Sequence, residues 1–109
     1  WGDEPPDGRA QFAGEGAAAP MRTANFHAAP PGLFDLSGNV QEWCADWYAA
    51  GTYKSGAAED PKGPETGRER VVRGGSFATP GEALACDARG HLIPDRGYDD
   101  VGFRCARDR

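Results

Sequence analysis

Apolar residues recur between residues 40 and 49 at the spacing of an amphipathic helix. They stand at positions i, i+3, i+4, i+7 and i+8, occupied by Val40, Trp43, Cys44, Trp47 and Tyr48. Because an α-helix turns once in about 3.6 residues, side chains at these intervals lie on one face. The pattern therefore predicts a short helix over residues 40–49, with Gly51 at its end.

A turn and a capping signal precede the predicted helix. Ser37, Gly38 and Asn39 have the composition of a turn. Asn39 is followed by Glu42 at the spacing of a capping box, in which each of two polar side chains accepts a backbone N–H of the other residue. In this interpretation Asn39 is the N-cap of the helix and needs no metal ion.

Two further segments have the pattern of short β-strands. Residues 70–73 are rich in β-branched side chains and end at two glycines. Near the end of the chain, Val101, Phe103 and Cys105 alternate with smaller or charged residues, which predicts a strand with one buried face. Residues 32–36 are predicted to be a short extended piece.

The segments between these elements are long and have the composition of loops. Glycine and proline account for 16 and 9 of the 109 residues, about twice their average share. These residues interrupt every long window, which excludes a coiled coil or a helical bundle. We therefore expect one α+β domain with short strands, one clear short helix and much irregular loop. The loops are predicted at residues 1–32, 51–69 and 76–100.

Net charge and hydropathy exclude two classes of partner. The formal net charge of −5 disfavours a protein that binds the nucleic-acid backbone, which needs a basic surface. No apolar run approaches the roughly 18–20 residues of a membrane-spanning helix. We therefore expect neither nucleic acid nor a membrane as a partner.

The three cysteines form no recognisable metal or redox motif. Cys44, Cys86 and Cys105 are an odd number and include no Cys-x-x-Cys pair, so a structural zinc site is not expected. A disulfide between Cys44 and Cys105 is one hypothesis, because both lie in elements predicted to belong to the core. Buried free thiols are the default interpretation. The compartment stays open, with a weak preference for the cytoplasm.

Three phrases occur in an order that identifies a family. They are GLFDLSGNVQEWCADWY at 32–48, RVVRGGSF at 70–77 and GFRCAR at 102–107. With WGDE at the start and ARGHLIPD at 88–95, the chain resembles the formylglycine-generating enzymes and their sulfatase-modifying-factor-like relatives over nearly its whole length. The resemblance implies a C-type-lectin-like fold with short twisted strands. It also implies that residues 1–109 are the C-terminal half of the domain, so that the N-terminal half or an upstream chain is a partner.

The chain departs from the resembled enzymes at the residues that carry their chemistry. In those enzymes two cysteines after the GGS phrase bind copper, and soft thiolates suit Cu(I). Here the first of these positions is Thr79, and no cysteine lies between Ser76 and Ala85. We therefore expect no copper and assign no catalytic residue. By the resemblance, Cys86 and Cys105 match structural cysteines of the family.

The resemblance also implies a structural calcium ion beside the turn that precedes residue 40. Relatives hold Ca²⁺ around the GNxxEW phrase, and oxygen ligands suit this hard cation. The matching ligands here are the side chain of Asn39, the carbonyl of Val40 and the side chain of Glu42. The capping box is the alternative interpretation of Asn39 and Glu42.

A polar loop region supplies the predicted ligand-binding residues. By the resemblance, Ser76 matches a serine of the substrate groove, although its place after two glycines favours a turn role. The polar residues that follow it are either binding groups presented by a rigid scaffold or a solvated loop with ion pairs. The predicted ligand-binding set is Ser76, Thr79, Arg89, His91, Asp95, Arg96 and Tyr98. Trp43, Trp47 and Tyr48 are assigned to the core rather than to a stacking platform.

The leading functional hypothesis is a binding or scaffolding module of a larger bacterial protein. In this hypothesis the copper-free domain recognises a peptide or a small ligand through residues 77–100. The alternative is the non-catalytic, substrate-pocket part of an oxidoreductase of the formylglycine-generating or non-haem-iron sulfoxide synthase type. Such an enzyme would need an upstream chain to complete it, because this sequence has no cluster of histidines that could bind iron.

Overall fold

The described part of the chain in the computed structural model is residues 2–30, 32–54 and 61–107. Of the predicted loop at 51–69, residues 55–60 lie outside these ranges. The other predicted loops are irregular apart from two short 3-10 helices and one short strand, with turns and bends in most of their length. Regular structure is therefore a minor part of this domain.

The central element is a four-stranded mixed sheet. Its strands, in chain order, are β1 (Gln41–Trp47), β2 (Arg70–Arg73), β3 (Gly90–Leu92) and β4 (Val101–Gly102). The spatial order is β3-β2-β1-β4, with β2 antiparallel to both neighbours and β4 parallel to β1. The helical segments of the described chain are the 3-10 helices Ala13–Glu15 and Gly81–Ala83. None of the described helices has the length and hydropathy that a crossing of the bilayer requires.

The predicted helix over residues 40–49 is wrong, because this segment forms strand β1. Trp43 pairs with Val72 and Trp47 pairs with Arg70, so four residues of β1 oppose two of β2. This irregularity in register accommodates apolar residues that are four positions apart in the sequence. Their spacing resembles a helical period. Pairing with the distant strand β2 therefore decides the structure, which is a case of tertiary context overriding a local pattern.

The capping box fails for the same reason, since no helix follows Asn39 in the structure. Asn39 has a φ of +65°, whereas an N-cap residue has extended backbone geometry. Asparagine is one of the few residues that occupy this left-handed region readily. Asn39 therefore closes the turn that leads into β1 rather than capping a helix.

The strand prediction at 70–73 is confirmed, and the prediction at the end of the chain is only partly correct. Val71 and Val72 of β2 are both buried. At the other end, β4 contains Val101 and Gly102, and the chain leaves the sheet after them. Phe103 is 78% exposed, so the predicted strand with one buried face is wrong beyond residue 102.

The segment at 32–36 does not form a strand either. Leu33 makes an isolated bridge to Ala29, and Asp35 has a φ of +53°, which bends the chain. As a result Leu33, Phe34 and Leu36 are exposed. They cover one side of the molecule with apolar surface instead of packing into the core.

The buried core is small, and its main cluster lies next to a close approach of two backbone segments at Gly38. Ala10, Phe12 and Leu84 form a buried cluster. Close by, Asn39 N–H donates to the Gln11 carbonyl (2.8 Å), which brings the first loop against the turn before β1. A Cβ at Gly38 would lie 2.4 Å from the Gln11 carbonyl oxygen. This close approach of two backbones therefore requires glycine at position 38.

We predict that Gly38→Ala lowers the free energy of unfolding by about 1–3 kcal/mol more than Gly8→Ala. Gly8 is the matched control, because its φ of +66° is close to the +78° of Gly38 but nothing lies within 4 Å of its Cβ position. Both variants meet the left-handed backbone penalty, and Gly38→Ala adds the clash with Gln11. Urea denaturation followed by tryptophan fluorescence measures the difference. Equal losses of unfolding free energy in the two variants would contradict the close approach of Gly38 and Gln11.

Candidate functional site

The predicted calcium ligands are bonded to protein groups in the structure. The Asn39 side chain accepts from the Met21 N–H (2.8 Å) and donates to the Met21 carbonyl (3.3 Å). Arg104 donates to both carboxylate oxygens of Glu42, at 2.9 Å and 2.5 Å. This hydrogen bond to Glu42 raises the pKa of the Arg104 guanidinium.

In this arrangement the Glu42 carboxylate is engaged in an ion pair, so a cation at this site would have to compete with Arg104. A calcium ion at Asn39, Val40 and Glu42 would need the Glu42 carboxylate as a ligand, but the Arg104 guanidinium already binds this carboxylate. Among the described residues there is also no group of three or more His, Cys, Asp or Glu that could hold a metal ion. The carboxylate can therefore serve Arg104 or an ion, but not both at once.

Ser76 and Thr79 belong to a polar network beside the start of β1. The buried hydroxyl of Ser76 donates to Asp100 Oδ2 (2.9 Å), and the Gln41 amide donates to the same oxygen (3.1 Å). Thr79 Oγ1 accepts from the Ser76 N–H (2.9 Å), and Thr79 N–H donates back to the Ser76 carbonyl (3.0 Å). These are the contacts of a closed turn, and they leave Ser76 only 1% exposed.

Arg89 and His91 lie together in a second and more accessible cluster. The Arg89 guanidinium lies over two rings, 4.8 Å from the centroid of Tyr48 and 4.7 Å from that of Tyr53. The His91 ring stacks on Tyr48 at 3.9 Å, and its Nδ1 lies 2.9 Å from Glu69 Oε2. We call Tyr48, Tyr53, Glu69, Arg89 and His91 the stacked cluster.

The geometry of the stacked cluster holds Arg89 and His91 in place and keeps them near solvent. Arg89 Nη2 donates to the Ala49 carbonyl (3.1 Å), which fixes the guanidinium between the tyrosines. Arginine stacked in this way keeps the edge of its planar group available for bidentate bonds to a carboxylate. His91 is exposed, and its contact with Glu69 turns its other ring nitrogen, Nε2, away from that carboxylate.

The remaining predicted site residues lie elsewhere. Tyr98 packs edge-on against Trp43, with ring centroids 6.2 Å apart, and its hydroxyl points to the Ile93 carbonyl (3.4 Å). Asp95 and Arg96 are exposed, with no hydrogen bond or ion pair to another described residue. Trp43, Trp47 and Tyr48, assigned to the core from the sequence, are half-buried.

The sheet separates these residues onto two faces. Residues paired across strands share a face, so His91 shares one with Val71, and Gly90 shares the other with Val72 and Trp43. The stacked cluster therefore lies on the face of His91, and the Trp43–Tyr98 contact lies on the opposite face. The predicted set is not one site, and Arg89 and His91 are the members that the structure brings together at an accessible surface.

Sequence reasoning missed the partners that complete each group. Tyr48, Tyr53 and Glu69 complete the stacked cluster, and Gln41 and Asp100 complete the Ser76 network. The sequence pattern placed Tyr48 on a buried helical face, so its contacts with His91 and Arg89 could not be predicted. Asp100 was visible only as one of several charges in a polar loop.

Two open grooves adjoin the exposed apolar residues. The larger has a volume of about 800 Å³ and is lined mainly by apolar side chains, among them Phe26, Leu33, Leu36 and Leu84, with Cys86 at its border. The smaller, about 330 Å³, lies between Phe34, Phe103 and the Glu42–Arg104 pair. Both share Leu33 and Asp35, so they form one continuous surface.

All three cysteines are free thiols, and the hypothesis of a Cys44–Cys105 disulfide is wrong. Cys105 follows the point where the chain leaves the sheet and is exposed, as is Cys86, so the expected burial of these two thiols is also wrong. Cys44 is half-buried in β1. Burial raises the pKa of the Cys44 thiol; the Asp46 carboxylate raises it further, Arg73 opposes the shift, and Glu42 adds to it.

Comparison with known proteins gives a consistent result. The model of the family described as "Sulfatase-modifying factor enzyme 1-like domain" matches residues 7–109. The serine/threonine-protein kinase Pkn1 of Chlamydia trachomatis is 44% identical over 79 residues, which are 71% of this chain and 13% of the kinase. The formylglycine-generating enzyme of Streptomyces coelicolor is 42% identical over 82 residues, which are 71% of this chain and 26% of the enzyme.

Among solved structures, Treponema denticola variable protein 1 has a similar fold. The TM-score is 0.80 at 31% sequence identity, covering 89% of this chain and 35% of that protein. The chain therefore corresponds to between about an eighth and about a third of the length of each of these relatives.

We predict that the three thiols react with iodoacetamide in two groups. Cys86 and Cys105 are exposed and should be alkylated first. Cys44 should follow more slowly, because a raised pKa leaves less thiolate at a given pH. Its rate should still rise at pH values above the ordinary titration range of a thiol. Intact mass against time gives the two phases, and a single phase for all three would contradict this assignment.

Proposed function

Because the chain belongs to the family of sulfatase-modifying factor enzyme 1-like domains, we propose that it is a binding or scaffolding module of a larger bacterial protein. The module recognises a peptide or a small ligand through residues 77–100. The observation that carries this proposal is the stacked cluster, in which Arg89 and His91 from this region are held near solvent by Tyr48 and Tyr53. Rigidly held cationic and aromatic groups at a surface are typical of binding sites.

A C-type-lectin-like architecture is part of the same proposal. The small mixed sheet, the short strands and the long irregular segments that pack on it are consistent with such a fold. In this architecture the loops carry recognition and the sheet supplies the scaffold. The short ladder from β3 to β2 supports this, since it anchors the segment that contains Arg89 and His91.

A non-catalytic role is supported by the chemistry of the Ser76 region. The Ser76 hydroxyl donates to Asp100 and accepts from the Ala78 N–H (3.2 Å), and within the described ranges no histidine is among its hydrogen-bond partners to act as its base. Thr79, at the position of the first copper-binding cysteine of the resembled enzymes, uses its hydroxyl within the same turn. We therefore keep the prediction that the module binds no copper.

A second candidate is the substrate-pocket part of an oxidoreductase that another polypeptide completes. It is favoured by the 42% identity to the formylglycine-generating enzyme of Streptomyces coelicolor and by the exposed apolar side chains Leu33, Leu36 and Phe103. The completing polypeptide would be the N-terminal half of the domain or an upstream chain. Co-purification of such a chain, or stoichiometric copper in the purified protein, would favour this candidate over the binding module.

A calcium site at Asn39, Val40 and Glu42 remains a proposal, in which the ion competes with Arg104. We predict that Arg104→Gln, which frees the Glu42 carboxylate, increases the rise in Tm caused by calcium. A ligand that binds only the folded state stabilises it by about 2.7 kcal/mol at a hundredfold excess over Kd.

Differential scanning fluorimetry with calcium chloride and with a chelator measures this competition. Arg107→Gln is the matched control, because Arg107 is exposed and has no hydrogen bond or ion pair to the other described residues. We expect the wild type and the control to shift equally and Arg104→Gln to shift more. No calcium-dependent shift in any of the three proteins would contradict the calcium site.

We predict that the wild-type protein enriches specific sequences from a displayed library of random dodecapeptides, and that Arg89→Ala loses them. Removal of the guanidinium takes away the cationic group held between Tyr48 and Tyr53. Arg22→Ala is the control, since Arg22 is an exposed arginine outside residues 77–100. Sequencing of the eluted pools gives the enrichment, and equal pools from wild type and Arg89→Ala would contradict the proposed site.

A further inference from the structure

Strand β3 is an outer strand of the sheet in the described part of the chain. The strand order β3-β2-β1-β4 gives it one partner, β2, and no described strand pairs with its other side. An outer strand with backbone N–H and C=O groups directed outwards is a template for another extended chain. What β3 can bind therefore depends on the backbone groups that it directs outwards and on the side chains beside them.

The hydrogen-bond pattern shows that His91 presents its backbone to the open side. Successive residues of an antiparallel strand direct their N–H and C=O groups to opposite sides. The Tyr48 N–H donates to the Glu69 carbonyl (2.8 Å), so Glu69 and Val71 face β1. Arg70 and Val72 then face β3, where their partners are Leu92 and Gly90. His91, between these two, has its N–H and C=O directed away from β2.

One fixed positive charge, that of Arg89, stands beside this backbone position. His91 and Arg89 are two residues apart, so both project on the same face of the segment. Arg89 is held over Tyr48 and Tyr53, and its hydrogen-bond acceptor among the described residues is the Ala49 carbonyl. The Glu69 carboxylate contacts His91 Nδ1. Arg89 is thus the cation that this face offers to a second strand.

We propose that β3 binds an extended peptide by strand addition, with a carboxylate side chain of the peptide beside Arg89. The inference rests on the proposed function, and it names the ligand class for that site. The peptide backbone would bond to the N–H and C=O of His91, and its carboxylate would accept from the edge of the guanidinium. Because the bond partners on His91 are backbone groups, the backbone contact gives affinity and Arg89 gives selectivity.

Charge complementarity favours a carboxylate over the other anions. The formal net charge of −5 on the whole chain repels a polyanion such as nucleic acid far more strongly than a peptide that carries a single carboxylate. A single planar guanidinium matches one carboxylate in a bidentate geometry. The short length of β3, three residues, limits the added strand to a segment of comparable length.

The test uses three capped seven-residue peptides of alternating threonine and valine that differ only at the central residue. That residue is glutamate, glutamine or lysine. Titration of the ¹⁵N-labelled full chain with each peptide, followed by NMR, gives both the dissociation constant and the amides that move. We expect the glutamate peptide to bind about five- to tenfold more tightly than the glutamine peptide, and the lysine peptide to bind most weakly.

Two further measurements locate the contact and its selectivity. The His91 amide should exchange with solvent more slowly when the glutamate peptide is bound, because a peptide carbonyl then accepts its N–H. Arg89→Gln should abolish the preference for glutamate over glutamine while the His91 amide still shifts. Arg22→Gln, a change at an exposed arginine outside this region, should keep the wild-type preference.

The outcomes separate this inference from the proposed function. Binding at β3 with no preference for glutamate, or a preference that survives Arg89→Gln, would overturn the carboxylate contact. Binding that moves amides of residues 77–88 or 93–100 but not of His91 would overturn strand addition and leave the proposed function in place. No binding of any of these peptides would overturn strand addition, and no enrichment from the random library would in addition overturn the proposed function.

Discussion

Asn39 is the residue on which the arrangement of the irregular segments depends. The four strands have only seven, four, three and two residues, so the sheet alone cannot organise the loops around it. Asn39 does so through four polar groups: its backbone bonds to Gln11 and Phe77, and its side chain bonds to both backbone groups of Met21. A buried asparagine with every polar group satisfied specifies one arrangement of these segments. Because it immediately precedes Val40 and β1, it fixes the loops to the longest strand.

The sequence predicted the features that depend on residues close together in the chain, and it missed those that depend on residues far apart in the chain. Strand β2 was predictable, because its β-branched pair Val71 and Val72 and the glycines after it are neighbours in the chain. The conformation of residues 41–47 was not, because it depends on pairing with β2 across a register irregularity whose spacing of apolar residues is the same as that of a helical turn. The helical spacing of Trp43 and Trp47 was a real periodicity with a different cause. The family was predictable from three phrases, and family membership did not correct the local error.

The same argument applies to the candidate site. Arg89 and His91 were identifiable as polar residues in a loop region between two predicted strands. Their partners Tyr48 and Tyr53 lie about 40 residues earlier in the chain, and only the fold brings them together. Ser76 was identified by its phrase, but its burial depends on Asp100, which β4 positions. The fold thus separates the predicted site residues into an accessible group around Arg89 and His91 and an internal network around Ser76.

The attachment of the last strand has a consequence for how the domain opens. β4 has two residues, and it is held by the bond from the Gln41 N–H to the Asp100 carbonyl, by the side chain of Asp100 and by the Arg104–Glu42 pair. With so little buried apolar surface, this segment should open locally at a lower free energy than the β1–β2 ladder. When it opens, Ser76 and Gln41 lose their shared acceptor together, so the turn after Gly75 loosens with it. Opening of the last strand is therefore the expected first step of unfolding. Higher ionic strength promotes it, because salt weakens the partly exposed Arg104–Glu42 pair.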